Sequence, residues 1–260
     1  MDGGYLDDAE FDEAMSRDGR FRTLYIRLAA DGDNDAATVL AEMLRTEAVK
    51  GSSVAQVGWG HMLMSGVGTA RDRDASFRWF RIAARQGNAD ALNMVGRCYE
   101  LGRGVAADLA EAAQWYERAA RSGHAWAQFN LATLFAQGRG VPASESRAVS
   151  LLVQAARQGN PKAMNMLGRY REDQPGASRV KATRSAAFWY RRAAAGGCFR
   201  GQFHHGRLLA DAQRCSEAIR WFSTSLGRAP DDFRRDALDM ISRHPDASVR
   251  ALAHDEAYRA

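Results

Sequence analysis

The residues of this chain whose types could do chemistry are few and scattered. There are six histidines, His61, His124, His204, His205, His244 and His254, and three cysteines, Cys98, Cys198 and Cys215. A zinc site needs His and Cys ligands at short, fixed spacings. The chain has no HExxH and no CxxC, and adjacent His204 and His205 on a helix point in different directions. Ser178 and Lys181 have the spacing of a serine acyl-transfer SxxK quartet, but the SDN-like and KTG-like elements that chemistry also requires are missing. Gly102-Arg103-Gly104, just ahead of a helical stretch, has the look of an anion cradle. A phosphate loop, however, follows a β-strand and carries a Walker lysine or GxGxxG. These glycines follow a helix, and they recur at 66–68 and 138–140. No catalytic, metal or cofactor constellation is expected, and the turn reads as scaffolding.

The recurrence of that turn leads to the element that sets every other position. "AQVGWGHMLMSGVG" from Ala55, "ALNMVGRCYELGRG" from Ala91, "AQFNLATLFAQGRG" from Ala127 and "AMNMLGRYREDQPG" from Ala163 each start 36 residues after the last. Gly60, Gly96, Ala132 and Gly168 keep the period, as do Gly68, Gly104, Gly140 and Gly176. A second half-unit follows each: "WFRIAARQG" from Trp79, "WYERAARSG" from Trp115, "LLVQAARQG" from Leu151, and "WYRRAAAGG" from Trp189. A period of this length marks an array of supersecondary units.

Each unit reads as two helices, with apolar and small residues at helical spacing. Gly96, Ala112, Ala119 and Ala120 let helix axes approach, and the Trp115-Tyr116 pair is expected to fill the space between units. Asp72, Asp108 and Ser144 stand where the second helix needs an N-cap, and Asp108 with Glu111 has capping-box spacing. Gly87, Gly123, Gly159 and Gly197 are expected to end the second helices in the left-handed conformation.

With Ala91, Gly96, Tyr99, Gly102, Gly104, Val105, Asp108, Trp115, Ala119, Ala120 and Gly123 in place, the pattern resembles the Sel1-like repeats, relatives of the tetratricopeptide repeats. The resemblance implies an all-α fold, a right-handed α-solenoid of antiparallel helix pairs that binds protein partners. It covers residues 55–229 as five repeats, the last two divergent. The fourth has "EDQPGASRVKATRS" in place of the glycine turn, with a two-residue insertion before Trp189. Residues 1–19 are an acidic segment, 20–54 read as an N-terminal helical cap, and 230–260 as closing helices divided at Pro245. The regularly spaced cysteine pairs of some secreted relatives are missing. No basic, apolar leader opens the chain, and a bacterial cytoplasm is the expected setting.

Charge and groove position complete the functional reading. Residues 1–130 hold 15 Lys/Arg against 19 Asp/Glu, a balance of −4, and residues 131–260 hold 21 against 12, or +9. The residue after the small first-helix position is His61, Arg97, Thr133, Arg169 and Arg207, and Asn93, Asn130 and Asn165 lie just upstream. First helices in such arrays line the concave face. These eight residues are therefore the candidate strip for an extended or acidic partner, on a framework of Gly60, Gly96, Gly102, Gly104, Asp108, Trp115, Ala119, Gly123, Gly168 and Trp189. The expected function is a non-catalytic interaction scaffold. The alternative is nucleic-acid binding through the arginine-rich C-terminal half.

Overall fold

The computed structural model describes residues 34–173 and 179–255, and every regular element among them is helical. In chain order these are α1 (Asn34–Val49), α2 (Ser53–Ser65), α3 (Arg73–Arg85), α4 (Ala89–Leu101), α5 (Leu109–Arg121), α6 (Ala125–Gln137) and α7 (Glu145–Arg157). Then come α8 (Pro161–Glu172), α9 (Arg179–Ala195), α10 (Phe199–Asp211), α11 (Cys215–Leu226), α12 (Asp231–Ser242) and α13 (Ala247–Ala251), closed by a 3-10 turn over Leu252–His254. The expected all-α repeat fold is the observed one. Expectations that fell on the acidic segment, on the cap up to residue 33, and on Pro175, Gly176 and Ser178 lie outside the described residues. The chain divides into two units, one through Ala148 and one from Val149, with α7 spanning the division.

In the first unit, local chemistry starts and stops helices α2 to α6 on the 36-residue period. Ser52, Asn88 and His124 cap the first helices, accepting hydrogen bonds from the amides of Ala55, Ala91 and Ala127 at 3.3, 3.0 and 3.1 Å. Asp72 and Asp108 cap the second helices as expected: Ala75 N–H donates to Asp72 at 2.8 Å, and Ala110 and Glu111 N–H donate to Asp108 at 2.9 and 3.0 Å. The capping box is not reciprocal. The Asp108 amide donates to the Tyr99 carbonyl at 2.9 Å, and the Glu111 carboxylate instead accepts from the Trp115 indole at 3.3 Å. Gly87 and Gly123 are left-handed, and the amides beyond them return to Ala83 and Ala119, so both helices end in the Schellman arrangement.

Core packing explains the small residues. A β-carbon on Gly60 would come within 2.5 Å of the Phe80 ring, and one on Gly96 within 2.7 Å of the Tyr116 ring. Tyr116 is fully buried with Ala112 and Ala119 around it, whereas Trp115 is only half-buried, with the Arg118 guanidinium over its ring at 4.4 Å. Of the aromatic pair, the second member is therefore the one that fills the interior. The glycine turn has two separate causes. Gly102 ends α4 with a φ of 63°, and Gly104, at 69°, lies so close to the start of α3 that a β-carbon would overlap the Arg73 carbonyl.

The second unit repeats the pattern with substitutions. Asn160 caps α8 ahead of Pro161, accepting from Ala163 at 2.9 Å, and Gly159 and Gly197 are left-handed. Gly168 lies against the Tyr190 ring and Gly206 against Phe222. Trp189, like Trp115, is half-buried beside a fully buried Tyr190. After α10 the left-handed position falls to Gln213, with a φ of 61°. Phe203, Leu209, Phe222 and Leu226 are covered by Ala237 and Ile241 of α12 and Val249 of α13. The second closing helix is only five residues long before the 3-10 turn takes over.

Candidate partner-binding site

In the first unit the candidate strip separates into buried and accessible members. His61, on α2, is 1% exposed and meets the Phe80 ring edge-on at 5.2 Å. Burial pushes its pKa down to about 4, the Arg97 charge adds to the shift, and Asp90 opposes it. His61 is thus a neutral interior group and leaves the expected surface strip. Asn93 is also buried, and its side-chain oxygen accepts from the Asn130 amide at 3.1 Å, tying α4 to α6. Thr133 returns its hydroxyl to the Phe129 carbonyl at 3.0 Å. Arg97 and Thr133 are half-buried, as is Asn130.

The second unit brings its strip residues into an ionic network. Asn165 is buried, whereas Arg169 on α8 is exposed. Arg207 on α10 donates to both oxygens of Glu172 at 2.6 and 2.8 Å, and Asp211 lies 3.6 Å away. The Tyr190 hydroxyl donates to the same carboxylate at 2.9 Å, and His204 stacks on the Tyr190 ring at 4.8 Å. Burial works against the Glu172 carboxylate, but the hydrogen bonds from Arg207 and Tyr190 outweigh it and hold its pKa below the usual value. Burial first, then Arg207, pushes His204 down to about 4, and burial with Glu172 pushes the Tyr190 phenol up. The network holds the Arg207 guanidinium in an ion pair with Glu172, and both Arg207 and Arg169 act electrostatically on Tyr190 and His204.

Glu172, Tyr190 and His204 were missed by sequence reasoning, although a signal existed. Glu172 lies two periods after Glu100, which accepts from the Tyr116 hydroxyl at 2.5 Å in the first unit. The two-residue insertion before Trp189 stretches the Tyr–Glu separation from 16 to 18 residues and hides the correspondence. His205 points elsewhere, edge-on to Trp221 at 5.4 Å. No group of three His, Cys, Asp or Glu suited to a metal occurs among the described residues. Cys98 and Cys198 are buried, and burial pushes the Cys98 thiol up to about 12. No helix among the described residues is long and apolar enough to cross a membrane.

Comparison with known proteins agrees with this framework. A comparison with curated proteins gave no match. Among solved structures, the chain is similar to a Sel1 repeat protein from Oxalobacter formigenes, at 20% identity over 90% of this chain and 97% of that one, with a TM-score of 0.72. It is also similar to a putative Sel1 repeat protein from Klebsiella pneumoniae, at 19% identity over 78% and 99% of the two chains, TM-score 0.52. A third likeness is to immunity protein Pa5087 from Pseudomonas aeruginosa, at 16% identity over 80% and 81%, TM-score 0.53. At these identities the likenesses show the fold. The Sel1 repeat model itself matches residues 53–88, 89–124, 127–160 and 161–198, more than half of the sequence, and the chain belongs to the Sel1 repeat family.

Proposed function

We propose that the protein is a non-catalytic scaffold of a bacterial cytoplasm that holds an acidic peptide or acidic domain on its first-helix face. The observation that carries the reading is the exposed guanidinium of Arg169, with Arg207, held by Glu172, acting on the same Tyr190 and His204. Arg97 and Asn130 offer the corresponding contacts in the first unit. A guanidinium fork matches a carboxylate in two parallel hydrogen bonds, and the exposed Arg169 fork takes the partner's carboxylate in this way. Burial removes His61, Asn93 and Asn165 from direct contact and leaves them a supporting role.

The test is affinity purification from the native cell with the wild-type chain and with Arg97→Glu plus Arg169→Glu together. A partner lost on charge reversal supports the reading, and a partner kept at equal yield overturns it. Labelled RNA and DNA titrated at low salt serve as the counter-assay, since phosphate binding is strongest there. Nucleic-acid binding that vanishes in the same variant would replace the protein partner by the alternative.

A further inference from the structure

Helix α9 is the most one-sided helix of the second unit in charge. Its 17 residues carry Arg179, Lys181, Arg184, Arg191 and Arg192 and no Asp or Glu. By contrast, α11 balances Arg220 with Glu217. The inward side of α9 is fixed in the core by Ala186, Tyr190, Ala193 and Ala194, all buried. Its outward side presents Arg184, Phe188, Arg191 and Arg192 at successive turns. Phe188 is 45% exposed, rests edge-on against Trp189 at 5.0 Å, and has the Arg192 guanidinium over its ring at 5.7 Å. Among the described residues, Arg184 and Arg191 make no hydrogen bond or ion pair. Among the described residues, nothing neutralises Arg184 and Arg191, which flank one exposed aromatic ring.

We propose that this outward face of α9 is a second docking surface, for an acidic segment of another protein that also brings an aliphatic or aromatic side chain. It is separate from the first-helix face and does not depend on that reading. Carboxylates reach Arg184 and Arg191, a turn or two apart, while the apolar side chain covers Phe188 between them. Arginine and aromatic residues are the groups that concentrate binding energy in protein interfaces. A bilayer would need a broad apolar stripe, and here Phe188 is the one bulky apolar side chain exposed on α9 among its described residues. Base stacking would need an open ring face, and Arg192 already lies over Phe188.

The experiment uses the full chain and four labelled probes: a short Asp/Glu peptide containing two leucines, polyglutamate of the same length, single-stranded DNA, and phosphatidylserine vesicles. The expected result is that the leucine-containing peptide binds most tightly. Arg184→Glu with Arg191→Glu weakens it about tenfold or more, and Phe188→Ala severalfold. Reversal of Arg45, an exposed residue of α1, leaves binding unchanged. Circular dichroism melts confirm folding, and Arg184→Gln with Arg191→Gln gives a milder version of the same loss. Four outcomes overturn the proposal: no peptide binding, binding indifferent to Arg184 and Arg191, equal affinity for polyglutamate, or tighter binding of DNA or vesicles. Native-cell partner recovery reads Arg97 and Arg169, and this assay reads Arg184 and Arg191, so either proposal can fail without the other.

Discussion

A single histidine is expected to make the first unit acid-sensitive. His61 is fully buried against Phe80, which pushes its pKa down to about 4 in the folded chain from the ordinary 6.5. The folded state therefore holds the neutral ring, while the unfolded chain takes up a proton once the pH falls below 6.5. The stabilisation is fully present above that value, is lost as the pH falls toward 4, and changes no further below it. The fall from 6.5 to about 4 corresponds to about 3–4 kcal/mol at roughly 1.4 kcal/mol per pH unit, and about 2 kcal/mol is already lost at pH 5. That is a large share of the ~5–15 kcal/mol that a typical domain has in total.

The measurement is urea unfolding by circular dichroism across this pH range, for the wild type and His61→Leu. Leucine keeps the volume and removes the titration, so the slopes against pH carry the information and the offset at neutral pH does not. His204, also near 4, contributes in both proteins and cancels in the difference. The wild type should lose about 1.4 kcal/mol more per pH unit than the variant in the steep part of the range. Arg97→Gln, which removes the neighbouring positive charge, should flatten the wild-type slope part of the way. Parallel slopes for wild type and His61→Leu, or an imidazole resonance of His61 that titrates near 6.5, would refute the reasoning.

Five further substitutions test the framework. Gly104→Ala and Gly87→Ala both place a side chain at positive φ, but only Gly104 abuts backbone, while Gly87 faces open space. Urea unfolding should show a loss of about 1 kcal/mol for Gly87→Ala and clearly more for Gly104→Ala, the excess being the collision with Arg73. Asp108→Ala leaves the amides of Ala110 and Glu111 without their cap and should cost about 1 kcal/mol in the same assay. Glu172→Gln removes the charge that orients Arg207. The melting temperature should fall, and Tyr190→Phe, run alongside, reports the hydroxyl's share of that loss.

The framework was legible in the sequence because its constraints are steric and act within one repeat. A glycine under Phe80 or Tyr116, a left-handed glycine after a helix, and an aspartate before one each leave a residue type at a fixed spacing. The site was legible only in part, because exposure on the strip depends on what the facing helix places opposite. His61, Arg97, Thr133 and Arg169 occupy one helical register, yet His61 is interior and Arg169 is exposed. A helical wheel fixes the direction of a side chain from its own axis, and it says nothing about the ring of Phe80 that closes over one member of the series. The aromatic pair shows the same limit. Trp115 and Tyr116 differ by one residue, about 100° around the helix; that rotation separates a half-buried ring under Arg118 from one sealed beneath Gly96. Glu172 escaped notice for a related reason: its partners come from α9 and α10, and the insertion before Trp189 breaks the spacing that would have aligned it with Glu100. Individuality in this array therefore enters at the cross-repeat contacts and the divergent fourth turn, where the period no longer dictates the neighbour.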